Sequence, residues 1–235
     1  MRCSALEERR ITERKSTMPI LKRTLAARIL RAELAITGLV SDTEITTALE
    51  GFGYNAAKRA DGVSLLTNAN TIQITVQEAR AAQLAATQAV KEAEKLARTA
   101  YADLATVART VFKGDTAALA TLGLNKGPAP KGTAAFRLAA DKLFAGAAAA
   151  PQTVKDTLTS VGYNAAKLAS EQGKIAALHT ANQTQEQAKG TSQNLTPEQE
   201  RVFVQLDTYT TQLRKFARIA LRETPQLLEK LGIKA

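Results

Sequence analysis

Apolar residues recur along this chain at helical spacing, and the same series of segments occurs twice. Leu21, Leu25, Ile29, Ala32 and Ile36 form one stripe, predicting a helix over about residues 19–36 with Pro19 in its first turn. A short helix is predicted over about 42–50. Gly53 then stops it, and Asn55 caps a third helix running from Ala56 into the low eighties. Ala93, Ala97, Ala100, Leu104, Val107 and Val111 follow at alternating spacings of four and three, the mark of a bundle seam. A last short helix over 115–122 ends at Gly123.

The second series reads the same way. Pro128 opens it, Pro151 starts its short helix, and Gly162 and Asn164 repeat the corner. The seam reappears as Val202, Leu206, Tyr209, Leu213, Phe216 and Ala220, and a short helix from Thr224-Pro225 to Leu231 ends at Gly232. Between corner and seam lie Lys189-Gly190 and then Thr196-Pro197-Glu198-Gln199. The latter is a strong start signal, with an N-cap, a proline at the first position and acids in the first turn. It predicts two helices separated by a turn in the second half, and by analogy a turn near Thr87 in the first. Thr71 to Val76 alternates as a strand would. The matching Thr180 to Gln185 does not, so both are assigned to helix.

Sliding residues 19–123 by 109 places, without a gap, lays them on 128–232 with 25 identities in 105 positions. Composition alone would give roughly nine. Gly53-Tyr54-Asn55-Ala56-Ala57-Lys58 falls on Gly162-Tyr163-Asn164-Ala165-Ala166-Lys167, and Arg28 falls on Arg137. The expected architecture is all-α: two tandem, sequence-related helical bundle units over 19–123 and 128–232. Each has about five helices, two of them long and antiparallel, in a pseudo-twofold or head-to-tail arrangement. Residues 124–127 form the linker. Residues 1–17 lie outside the duplication and are expected to be a disordered leader or to precede a true start at Met18.

Composition sharpens this picture. Alanine contributes 45 of the 235 residues and aromatics only 4%, so the helices should approach closely around a thin core. The net charge of +10 is concentrated: residues 1–31 hold nine basic and three acidic side chains, +6 of the total. Lys22, Arg23, Arg28 and Arg31 point around most of a helix circumference, as solvated positions do. Cys3 is the sole cysteine, so no internal disulfide can form, which fits a cytoplasmic setting. No apolar run approaches the length of a membrane span.

The duplication also tests for chemistry. Shifted by 109, no acid of the first half meets an acid of the second; Glu78 meets Gln187 and Asp103 meets Gln212. A carboxylate pair or di-metal site repeated in both halves is excluded. The single histidine, His179, aligns with Asn70 and reads as a rim residue. No phosphate-binding, dinucleotide-binding or nucleophile-elbow motif occurs, no cysteine pair exists for zinc, and no cofactor or metal is expected. The shared polar residues include cations but no acid: Lys22, Arg28, Arg109, Lys131, Arg137 and Arg218 are the candidate partner contacts, unless internal caps and ion pairs absorb them. The sequence thus reads as a non-catalytic structural or assembly protein, its partner most simply a copy of itself. The alanine face of the first seam is expected to pack toward that neighbour. The alternative is a basic helical module binding nucleic acid or another acidic partner.

Overall fold

The computed structural model describes residues 24–125 and 127–234, and every regular element among them is a helix. The order is α1 (Leu25–Ser41), α2 (Thr43–Glu50), α3 (Ala56–Val111), α4 (Thr116–Thr121), α5 (Thr133–Ala149), α6 (Gln152–Ser160), α7 (Ala165–Ala220) and α8 (Pro225–Lys230). The leader and Lys22 fall outside the described residues. No helix of the described residues is long and apolar enough to cross a membrane.

Local signals place the helix ends. The Thr24 hydroxyl caps α1 by accepting from the amide of Ala27, and the Asp42 carboxylate caps α2 through the amides of Glu44 and Ile45. The corners before the long helices need a left-handed residue, supplied by Gly53 (φ 85°) and Gly162 (φ 90°). Asn55 and Asn164 then accept from the amides of Lys58 and Lys167 at 3.0 and 2.9 Å.

Two expectations are corrected. First, neither half contains the turn expected between its third and fourth helices: α3 and α7 each run unbroken for 56 residues, with Pro197 inside α7. Alanine-rich sequence with no proline, and no glycine after Gly62, carries α3 through Thr87. In α7 a helix-tolerant polar stretch reaches Pro197, whose ring removes one donor without ending the helix. Second, the ungapped shift of 109 fails in the first helix. From α2/α6 onward the pairs begin 109 residues apart, but α1 and α5 begin 108 apart, at Leu25 and Thr133. One residue (Asp42) joins α1 to α2, whereas two (Ala150, Pro151) join α5 to α6. Burial follows the 108 offset: Ala32, Ala35, Ile36 and Leu39 are buried, as are Ala140, Leu143, Phe144 and Ala147. Arg28 is therefore equivalent to Phe136 rather than to Arg137.

The chain forms two compact units, and neither coincides with one half of the sequence. Unit 1 comprises residues up to Val76 together with Leu195–Ala235; unit 2 is Gln77–Asn194. Each unit takes its first three helical segments from one half of the chain and its last two from the other. In unit 1, α1, α2 and the start of α3 enclose a core with the end of α7 and α8: Ile36, Leu39, Ile45, Leu49 and Tyr54 share one cluster with Phe203, Leu206, Tyr209, Leu213 and Leu231. Phe52 meets Phe216 while the Tyr209 hydroxyl donates to the carbonyl of Lys58, so α3 and α7 run antiparallel there.

In unit 2, α5, α6 and the start of α7 enclose the end of α3 and α4. Phe136, Leu143, Phe144, Leu158, Ile175 and Leu178 cluster with Ala97, Ala100, Leu104 and Leu122. Ala97 and Ala100 are thus fully buried inside their own unit. The expectation that the alanine seam faces another molecule is wrong, because aromatic residues on α5 cover it.

Candidate functional site

The six cations singled out by the sequence do not converge. Lys22 lies outside the described residues. Arg28, its side chain 10% exposed, lies on Asp207 (2.8 Å), with Glu200 at 3.8 Å and the Phe203 ring centroid 4.8 Å from its guanidinium carbon. Arg109 donates to the carbonyl of Gly127 at 2.7 Å and so ties down the linker. Arg137 meets Nδ1 of His179 at 2.6 Å. Lys131 and Arg218 are exposed.

The Arg28 cluster has a counterpart that the sequence comparison missed. In unit 2 Arg98 sits over Phe136, 4.3 Å from the ring centroid, with Glu94 at 2.6 Å. It also donates to the carbonyls of Pro130 and Lys131. Phe136 stands where Arg28 does, Glu94 where Phe203 does, and Arg98 where Asp207 does. A cation, a ring and an acid occur at the same helix contact in both units, with the residues permuted. Such a cluster gives a partly buried arginine both a face and a carboxylate. The i,i+4 spacing of Glu94 and Arg98 was a usable signal.

His179 accepts from Arg137 at Nδ1, which puts its ring proton on Nε2 facing Asp141 at 3.1 Å. No serine, threonine or cysteine hydroxyl or thiol bonds to this ring among the described hydrogen bonds. The line Arg137–His179–Asp141 ties α5 to α7.

The halves differ most at one helix contact. In unit 1, a Cβ at Gly62 would lie 2.5 Å from Tyr209 Oη; glycine makes room for the ring. The hydroxyl donates to the Lys58 carbonyl at 2.8 Å, and the ring packs edge-on against Tyr54 with centroids 5.8 Å apart. Burial pushes the Tyr54 phenol up to about 12 and that of Tyr209 higher still, so both stay protonated. In unit 2 the equivalent residues are Glu171 and Ala100. Glu171 is only 4% exposed and is held by Lys167 (2.7 Å) and Lys174 (2.6 Å). Hydrogen bonds from Lys167 and then Lys174 hold its carboxyl below the usual range, against the desolvation that would raise it. Nearby Tyr163 is pushed up by burial, then by Asp103 and Glu171.

Two surface features remain. A groove of about 480 Å³ in unit 1 lies beside Tyr209, lined by Lys58, Asp61, Asn68 and Gln212 among others. At the corner of the same unit, Phe52 and Phe216 meet at a tilt of 38° with centroids 5.9 Å apart; each is 38% exposed, and Ile219, three residues beyond Phe216 in α7, is 51% exposed. No group of three or more histidine, cysteine, aspartate or glutamate side chains among the described residues is placed to hold a metal ion. No protein-family model matches the chain, and neither a curated protein nor a solved structure matches it.

Proposed function

We propose that this chain is a non-catalytic helical structural or assembly protein that associates with copies of itself. The observation that carries the reading is the apolar corner of unit 1. Two phenylalanines in tilted contact and an isoleucine one helical turn on are partly exposed in a chain with few aromatics, and they leave surface to be covered. The sequence duplication supports it. A unit copied within one gene arises readily from a self-associating ancestor, and here each compact unit already draws helices from both copies. On this reading the halves are tandem, diverged copies whose helices together complete each bundle, and the single Cys3 fits a reducing, cytoplasmic setting. A nucleic-acid module has less behind it, since Arg28, Arg109 and Arg137 are engaged by groups of their own unit.

Sedimentation equilibrium over a wide concentration range tests the proposal. The native chain is expected to form a defined oligomer, and the double change Phe216→Glu and Ile219→Glu to shift it toward monomer with helicity unchanged. A strict monomer at high concentration refutes it.

A further inference from the structure

The two units treat one seam differently, and the difference opens a cleft. In unit 1 three side chains close the space between the first three helices. The Thr46 hydroxyl donates to the carbonyl of Leu39 at 2.6 Å. Arg59 reaches across to Glu50 Oε1 at 2.9 Å and to the carbonyl of Tyr54 at 2.8 Å. The equivalent residues in unit 2 are Lys155, Thr159 and Leu168. None can rebuild that closure: the carboxylate is gone, the guanidinium is replaced by a shorter apolar group, and the small hydroxyl has become an ammonium.

A cleft of about 340 Å³ stands in that place, between the end of α5, α6 and the start of α7. Ala147, Ala165, Leu168 and Ala169 give it an apolar floor, and the largely buried Tyr163 lies against them. Lys155 is its one charged lining residue, and no acid lines it. The acid next in sequence, Asp156, accepts instead from the side-chain Nε2 of Gln152 at 2.8 Å. No ion pair involving Lys155 occurs among the described residues, whereas Lys167 and Lys174 nearby both pair with Glu171.

We propose that this cleft binds a small amphipathic carboxylate, its apolar body on the alanine and leucine floor and its head group on Lys155. The volume is near the small end of ligand sites, and an apolar floor with a few polar groups, here Lys155 with Gln152, Thr159 and Gln172, is the usual form of such sites. A single unneutralised cation at an apolar cavity selects an anion over a neutral ligand of the same shape, because the ammonium gains a charge-assisted hydrogen bond. The inference does not depend on self-association.

Calorimetric titration of the full-length protein with octanoate and with 1-octanol, below their aggregation limits, tests it. Octanoate should bind saturably at one site, with octanol about tenfold or more weaker, the scale of one charge-assisted contact. Lys155→Gln should bring octanoate down to the octanol level and leave octanol unchanged. The double change Thr159→Glu and Leu168→Arg, which restores the unit 1 closure, should abolish binding of both while circular dichroism stays native. The proposal is overturned by any of three results: no saturable octanoate binding, octanol binding as tightly as octanoate, or octanoate binding undiminished in the refilled, folded variant.

Discussion

Gly62→Ala is the most discriminating single substitution. At an ordinary helix position replacing glycine by alanine stabilises by about 1 kcal/mol. At position 62 the added methyl would lie 2.5 Å from Tyr209 Oη and 2.6 Å from its Cζ, inside van der Waals contact. The ring must leave. Its bond to the Lys58 carbonyl at 2.8 Å is worth about 1 kcal/mol, and its edge-on contact with Tyr54 about 1 kcal/mol more. Displacing packed neighbours costs about 1–3 kcal/mol. Set against the propensity gain, the net expectation is a loss of about 2–4 kcal/mol, read as a lower urea midpoint at unchanged slope. Tyr209→Ala removes the obstruction, so in that background Gly62→Ala should become neutral or stabilising. A coupling of at least about 2 kcal/mol between the two sites follows. Gly173 and Gly190 of α7, where an added Cβ meets nothing within 4 Å, serve as controls and should each gain about 1 kcal/mol on changing to alanine. If Gly62→Ala stabilises the native protein as the controls do, the close approach of α3 and α7 in unit 1 is wrong.

Two further outcomes follow from the geometry. Glu171 has its carboxyl pKa lowered in the folded state from an ordinary 4.5, so its contribution is complete above that value and is lost as pH falls through it toward the folded value. Glu171→Gln should cost about 1 kcal/mol near neutrality, modest because Lys167 and Lys174 are substantially exposed, and the cost should shrink as urea midpoints are taken down to pH 3. Pro197→Ala should raise the melting temperature, by about 2 kcal/mol of stability, because Pro197 lies inside α7 and deprives it of one backbone bond; a fall would mean that the helix starts there after all.

Capping signals were legible because they are local. Asn55, Asn164, Gly53 and Gly162 act within a few residues of themselves, and their spacing fixes where the long helices begin. The seam at Leu206, Tyr209 and Leu213 was legible for the same reason. The continuity of α7 was not, since Thr196-Pro197-Glu198 has the composition of a helix start and nothing local tells an N-cap from an interior proline tolerated by its surroundings. The one-residue offset of α1 against α5 stayed hidden because an ungapped alignment set Arg28 on Arg137, two residues with unlike neighbours. The exchange of helices between halves was invisible to periodicity, which says that a seam exists but not which helix covers it. Its trace lay in paired changes across the halves. Gly62 with Tyr209 corresponds to Glu171 with Ala100, and Arg28, Phe203 and Asp207 correspond to Phe136, Glu94 and Arg98. Each set makes sense only if the partners come from different halves of the chain.

That exchange is the central claim, and dividing the chain within its linker tests it most directly. Residues 1–126 and 127–235 would be produced separately and together, and followed by far-ultraviolet circular dichroism with urea and by sedimentation. Each half alone lacks the helices that complete either core, so neither should unfold cooperatively. Mixed, the two should recover a one-to-one complex with a cooperative transition. A cooperative, monomeric fold in either half alone would contradict the account.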